Sequence, residues 1–397
     1  MSTAHPLPTL PLAWYFDPAI LEIERRTVFA DAPEYVGCAP MVPQPGCYYT
    51  VPRSDHADAL VRDDGKVRLL SNVCLHRNLL MLQGSGRVKA LVCPMHRWSY
   101  LLDGRVLAAP HYEETPCVSL PQRPLEEWNG IFFTGARGVA EHLAPLSGRP
   151  ELDVSGYVFV ESEIEEQSIN WKVPVEVLLE NYHVPVIHPG LTRYVDRSTW
   201  FGNDGGYDDE RLMYQEMKPH PDFAHNPASP VFERWQQAIL QVTGGTLPPF
   251  AALIALLAPN IFLEWYPFMF VVTAYTARTP EQTLMTREFF YDPRALEAVP
   301  RFAELAKAAW DENQQADEIV HAGLHRGRAL HYRREPDGLS GYGTYQSPTE
   351  DSVQLFHNHL MKRVMPHLRG AATRAELQPA GAQAHSRGST REATASL

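Results

Sequence analysis

Four residues in two matched pairs, Cys74-Leu-His76 and Cys93-Pro-Met-His96, offer two thiolates and two imidazoles, with sixteen residues (77 to 92) between the pairs. A mononuclear zinc site could use that set. So could a [2Fe–2S] cluster in which two cysteines hold one iron and two histidines hold the other. Zinc would make the pairs a structural clip, whereas the cluster would make them an electron carrier. Pro94 and the loop-like flanks SNVCLHRN and LVCPMHRWSY, each entered from a β-like run, favour the cluster.

A second pair, His183 and His188, stands five residues apart with Pro185 between. An unbroken helix would set residues five apart about 140° apart. The proline bends or ends the helix, so both imidazoles can turn toward one point. With one carboxylate added, two imidazoles make the facial triad of a non-haem Fe(II) oxygenase. Spacing alone is equally compatible with two ordinary core or surface histidines.

These residues need a scaffold. The chain has 397 residues, 44% of them hydrophobic, enough for two domains with their own cores. The formal net charge of −12 argues against nucleic acid or an anionic membrane surface as partner. The five cysteines, Cys38, Cys47, Cys74, Cys93 and Cys117, do not form a secreted disulfide framework. MSTAHPLPTLPLAWYF lacks the basic and apolar parts of a signal peptide. The apolar stretch from Leu247 to Tyr275 is interrupted by prolines, Asn260 and Glu264, so it does not supply the ~20 apolar residues of a membrane span. The expectation is a soluble, cytoplasmic protein.

Asp17-Pro18 predicts a helix start, with an N-cap acid and proline at the first position. From Glu34 to about Gly135 short β-like runs alternate with turn signals such as Asp103-Gly104 and Asn129-Gly130. After the Pro145 to Pro150 boundary, YVFVESEI reads as a strand and Ser168 to His183 as a helix. IFLEWYPFMFVVTAYTAR and QTLMTREFFYD read as two long antiparallel strands. Helices follow over about Pro300 to Leu324 and Thr349 to Val364. The fold class is α+β: an N-terminal all-β domain (34–148) bearing the Cys-His loops, then a second domain (149–368) with an antiparallel sheet flanked by helices. Residues 1–33 form a helical segment packing on the second domain, and 369–397 read as a disordered tail.

Taken together, Cys-x-His and Cys-x-x-His followed downstream by NWK…E…YH…HP resemble the α subunits of Rieske non-haem iron ring-hydroxylating oxygenases, over roughly residues 15 to 365. The loops depart from the usual pattern. Asn78 stands where the family commonly has glycine after His-Arg, and Met95 and Arg97 replace the Tyr and Gly of Tyr-His-Gly-Trp. The resemblance implies a [2Fe–2S] cluster on Cys74, His76, Cys93 and His96, and a mononuclear Fe(II) on His183 and His188. It also implies that Glu180 bridges the two centres between subunits, bonding His183 on one side and His96 of the partner subunit on the other. The late element Glu318-Ile-Val-His321-Ala-Gly-Leu324 has His321 in the family's Gln place, and its register puts the third iron ligand at Asn313, with Asp317 one turn later as the alternative.

A homotrimer or a multiple of it is implied, with O2 as co-substrate and electrons from NAD(P)H through a separate reductase, with or without a ferredoxin. The chain has no nucleotide-binding loop of its own. Aromatic residues between 195 and 270, among them Trp200, Phe201, Trp235, Phe262 and Tyr266, suit ordinary core. A subset could grip an aromatic ring or a quaternary ammonium group. Hydroxylation, dihydroxylation and oxidative demethylation all stay open. The NWK-to-YH spacing looks closer to the branch that includes amine and betaine demethylases. A Rieske electron-transfer or regulatory protein with a degenerate mononuclear site is the second reading, and a zinc-stapled binding module the third.

Overall fold

The computed structural model describes residues 9–376 except 136–137, 197, 199–206, 209–211, 224–228 and 335–344. Trp200 and Phe201 fall outside the described residues.

The first region is built of short strands. A five-stranded antiparallel sheet runs in the order Ser85–Arg87, Cys47–Thr50, Asp58–Arg62, Val67–Ser71, Gln122–Arg123. A three-stranded sheet of Leu91–Val92, Ser99–Tyr100 and Val106–Ala108 carries the second Cys-His loop. Another joins Glu34–Cys38 to Ile131–Thr134 and Glu126–Trp128.

The second region centres on a seven-stranded antiparallel sheet ordered Val158–Gln167, Gln282–Tyr291, Met269–Thr279, Ile261–Tyr266, Ala252–Leu257, Leu212–Met217, Tyr207–Asp208. The run expected as one strand, IFLEWYPFMFVVTAYTAR, is two. It turns at Pro267-Phe268, where Phe268 takes φ +66°. The central strands are buried on both faces, which accounts for their apolar continuity. Side chains alternate across the pleat. Leu263, Trp265, Phe270 and Val272 share one apolar cluster with Tyr35 and Phe133 of the first region. The opposite face meets helices through two separate apolar clusters. One joins Tyr266, Val271 and Phe289 to Phe232, Trp235 and Trp310. The other joins Phe262, Tyr275 and Met285 to Trp14, Ile20, Trp171 and Phe356.

The N-terminal helix Pro18–Glu24 starts as its residues dictate, with the Asp17 carboxylate accepting from Ala19 N at 2.8 Å. It is clamped to the sheet region by Asn170-Trp171-Lys172. Asn170 Nδ2 donates to the carbonyls of Tyr15 and Pro280. Trp171 Nε1 donates to Glu24 at 3.0 Å, and Lys172 Nζ meets the same carboxylate at 2.7 Å with both side chains 0% exposed. A fully buried pair of this kind tolerates no loss of one partner.

The helices differ from expectation in their ends. Ser168 to His183 is helical only over Lys172–Leu179. The late helix runs Phe302–Arg334, and the last runs Asp351–Glu376, past residue 369 where the tail was expected to begin. The rest of the tail lies outside the described residues. No helix among the described residues is long and apolar enough to cross a membrane.

Candidate metal centres and their surroundings

The first centre lies on two loops that close identically. Cys74 N donates to Leu79 O and its carbonyl accepts from Asn78 N; Cys93 N donates to Trp98 O and its carbonyl accepts from Arg97 N. The fourth residue after each cysteine is left-handed, Asn78 at φ +59° and Arg97 at φ +64°. Glycine is the residue that adopts this conformation freely. Asn tolerates it, whereas Arg97 carries a strain of about 1–2 kcal/mol. Both thiols are buried beneath the loops, in a cluster with Leu70, Leu91 and Trp98. The imidazoles sit above, with His76 and His96 ring centroids 4.7 Å apart and His96 exposed. His76 stacks on Trp98 at 5.3 Å. Cys74 Sγ lies 3.3 Å from the Tyr100 hydroxyl, which accepts from Leu75 N. Two buried thiols at the base of loops that also carry two neighbouring imidazoles suit a cluster with sulfur ligands inside and nitrogen ligands outside. Leu75, Leu79, Leu80 and Met95 leave an apolar collar exposed around the histidines, Met95 to 56%.

The second centre depends on a broken helix. The segment Lys172–Leu179 ends, Glu180 is extended, and Pro185 and Pro189 open two short helices, Val184–Ile187 and Pro189–Tyr194. His183 and His188 precede these starts, and the breaks turn both rings inward. His183 Nε2 and His188 Nε2 lie 3.1 Å apart. The carboxylate of Asp317, buried on the long helix Phe302–Arg334, reaches both: Oδ1 is 2.8 Å from His188 Nε2 and 3.5 Å from His183 Nε2. Two ring nitrogens and one carboxylate oxygen thus contend for a single point, and their ligand atoms form a group within 4.8 Å of one another. A divalent cation is the group that satisfies all three at once.

The geometry reverses the order of preference drawn from register. Asp317, the alternative, meets the histidines. Asn313 lies one turn earlier and is half-buried. The two share a helical face, and the break after Leu179 brings the histidines level with the later turn.

Glu180 stands at the end of the helix rather than within it. Its Oε1 accepts from His183 Nδ1 at 2.5 Å, and its Oε2 accepts from the backbone N–H groups of Tyr182 and His183. A carboxylate behind a metal-binding imidazole fixes the ring's tautomer and direction. Burial would lower the His183 pKa, but hydrogen bonds to Asp317 and Glu180 outweigh it and raise it to about 9. Burial opposes ionisation of Asp317, and the two histidines more than offset it, lowering its pKa to about 2. Glu180 also lines a cavity of about 570 Å³, with Tyr15, Glu176, Arg328 and Tyr345. Asn181 Nδ2 donates to Gln215 at 3.0 Å, tying the histidine segment to the sheet.

Sequence reasoning missed the polar groups on the sheet below. Glu264 is buried, accepting from Tyr266, Thr273 and Trp310. Arg287, also buried, donates to Gln314 at 2.9 Å. The available signal was a single acid in the run IFLEWY. His321, in the Gln place, is buried with neither ring nitrogen hydrogen-bonded among the described residues, and burial lowers its pKa to about 4.

Two family descriptions match the chain: "Rieske [2Fe-2S] domain" over residues 35–121 and "Ring hydroxylating alpha subunit (catalytic domain)" over 155–365. The chain is 38% identical over 359 residues to putrescine 2-hydroxylase of Ralstonia nicotianae, covering 90% of this chain and 95% of that one. It is 27% identical to the glycine betaine monooxygenase oxygenase subunit of Chromohalobacter salexigens, covering 90% and 86%. Its fold matches the quaternary ammonium Rieske monooxygenase CntA in complex with L-carnitine, with a TM-score of 0.69 at 20% identity, covering 90% and 96%. Naphthalene 1,2-dioxygenase from Rhodococcus sp. bound to indole shares the fold at TM-score 0.68 and 14% identity, covering 90% and 94%. The chain belongs to the Rieske oxygenase α-subunit family. It is an oxygenase, the terminal component of its system, with a Rieske [2Fe–2S] domain and the catalytic domain of the mononuclear iron Rieske oxygenases.

Proposed function

We propose that this oxygenase hydroxylates a small aliphatic amine of the putrescine class, at a mononuclear Fe(II) held by His183, His188 and Asp317. The observation that carries the site is the convergence of these three side chains, with Glu180 on the outer nitrogen of His183. The substrate class is supported by the relative at 38% identity, whose whole length this chain nearly spans. When bound, the ferrous ion supplies O2 activation and the cluster on Cys74, His76, Cys93 and His96 supplies single electrons. The protein's part is positional. Residues 34–148 carry the cluster loops and 149–368 the iron site, with 1–33 laid on the latter. Asp317 brings the negative charge that two neutral imidazoles lack. Glu180 holds His183 so that Nε2 faces inward.

Electrons come from a separate reductase, with or without a ferredoxin, and the enzyme acts as a homotrimer or its multiple. The apolar collar around His96 is a surface that a second copy would cover, and Glu180, facing both His183 and an open cavity, suits a bridge to His96 of the partner subunit. The electron-transfer reading without catalysis drew on Asn313 as a neutral ligand; Asp317 against both histidines removes that ground.

Single turnover tests the proposal without the native reductase. The protein, loaded with iron and chemically reduced, is exposed to O2 with 1,4-diaminobutane. A hydroxylated diamine is the expected product. Three irons per chain with no oxidation of any amine would refute the substrate, and two irons that do not rise with added Fe(II) would refute the oxygenase site.

A further inference from the structure

The two Cys-His loops close in the same way, yet their histidines have different surroundings. His96 is exposed, and its one ring neighbour among the described residues is His76, at 4.7 Å. His76 is half-buried and enclosed. The Trp98 ring lies parallel to it, with 4° between the planes and 5.3 Å between the centroids. The Tyr112 ring stands edge-on to both, at 6.3 Å and 87° from His76 and at 5.2 Å and 83° from Trp98. Offset-parallel and edge-on are the two arrangements that aromatic quadrupoles favour. His76 Nδ1 is buried with no hydrogen-bond partner among the described residues, which suits a nitrogen turned to a metal.

Tyr112 belongs to neither Cys-His motif. The strand Val106–Ala108 pairs with Ser99–Tyr100, with Ala108 opposite Ser99, so the chain leaves that strand beside Trp98. Ala109-Pro110-His111-Tyr112 then turns. Tyr112 N donates to Ala109 O at 3.3 Å, and His111 takes φ +68°. Proline second and a left-handed residue third are the marks of a type II turn, whose third place glycine usually fills. His111 thus joins Asn78 and Arg97 as a third left-handed residue other than glycine around this centre. Ala109 is buried in the cluster that holds Trp98, Cys74 and Cys93, which anchors the turn. Tyr112 itself is 49% exposed, so little burial accompanies its place over the two rings.

We propose that Tyr112 is a positioning residue for the [2Fe–2S] cluster. With Trp98 it holds the His76 imidazole at one angle and keeps water from it, and so makes the two histidine ligands inequivalent. Groups packed around a ligand fix its orientation and set the dielectric near the metal. His96 is left as the ligand open to a partner, which is the role that the inter-subunit bridge proposed above gives it. Reduction adds one negative charge to the cluster, and water stabilises that charge better than an aromatic ring does. Opening the box around His76 therefore favours the reduced state.

The test uses the cluster-loaded full chain as wild type, Tyr112→Ala and Tyr112→Phe. It reads the reduction potential by protein-film voltammetry and the two histidine nitrogen couplings in the pulsed EPR spectrum of the reduced cluster. At the wild-type midpoint potential, Tyr112→Ala should raise the ratio of reduced to oxidised cluster on the order of threefold, a shift of about 30 mV for one electron. One nitrogen coupling should shift and the other stay. Tyr112→Phe keeps the ring and should match wild type in both readouts. A Tyr112→Ala potential that holds or falls overturns the proposal, as do couplings that both stay. Couplings that shift alike overturn it too, because general loosening of the loops moves both. A Tyr112→Phe that behaves as Tyr112→Ala removes the ring from the account and overturns it equally. Should Tyr112→Ala not hold its cluster, Tyr112→Leu takes its place under the same criteria. Neither readout involves the partner subunit, so failure here leaves the bridge reading standing.

Discussion

His188 Nε2 and Asp317 Oδ1 lie 2.8 Å apart although 129 residues separate them in the chain. The contact joins a short helix on one side of the site to the long helix Phe302–Arg334 on the other, so the third ligand position belongs to tertiary packing rather than local sequence.

Asp317→Ala should lower iron from three to two per chain and cut single-turnover product by at least about 100-fold, while the cluster spectrum persists. Asn313→Ala should keep three irons. A colorimetric iron assay on both variants separates the two positions; full iron retention by Asp317→Ala would sink the assignment.

Glu180→Gln should retain both metals yet slow turnover by roughly 10–100-fold, because the amide cannot replace the anionic acceptor at His183 Nδ1. The informative comparison is iron content against rate. Unchanged turnover with a supplied reductase would remove Glu180 from the electron path.

Tyr100→Phe removes the hydroxyl beside Cys74 Sγ. A hydrogen bond to a cluster sulfur favours the more negative, reduced state. Its loss should lower the reduction potential by roughly 40–60 mV, the equivalent of about 1–1.4 kcal/mol for one electron. Protein-film voltammetry reads this directly, and a potential that holds or rises contradicts it.

Glu288 lies where the sheet meets the first region, accepting from Tyr49 Oη at 2.9 Å. Burial, partly offset by the hydroxyls of Tyr35 and Tyr49, raises its pKa to about 7. The folded state therefore holds this proton more tightly than the unfolded chain. The stability it contributes is complete below the ordinary carboxyl pKa and lost as pH rises toward and through 7. Thermal unfolding of wild type and Glu288→Gln at pH 5 and pH 8 should show a smaller fall in Tm with pH for the variant. Parallel pH profiles would exclude this role.

Much of the site was legible because its chemistry demands rare residues at fixed spacing. His76 and His96 stand ring to ring and Cys74 and Cys93 share one buried cluster, whereas the helix expected to end at the proline between His183 and His188 already stops at Leu179, and Pro185 opens the next short helix instead. Asp317 came second because helical periodicity cannot separate positions one turn apart: Asn313 and Asp317 differ by only about 40° around the axis. Glu180 was placed on a helical face, yet it reaches His183 from extended backbone. Glu264 read only as an interruption in an apolar run, since what makes it notable is the burial the whole sheet provides. The split at Pro267-Phe268 was hidden because an aromatic residue, not glycine, takes the left-handed turn position.

Burial of Cys74 and Cys93 beneath loops whose outer rim is His76 and His96 gives the first region one conducting face and an insulated back. In the inter-subunit arrangement proposed above, an electron that arrives and one that leaves would pass through the same small window. A donor protein and a neighbouring subunit's catalytic site would then compete for it, and the rate at which one vacates it for the other would set a limit on turnover by docking rather than chemistry.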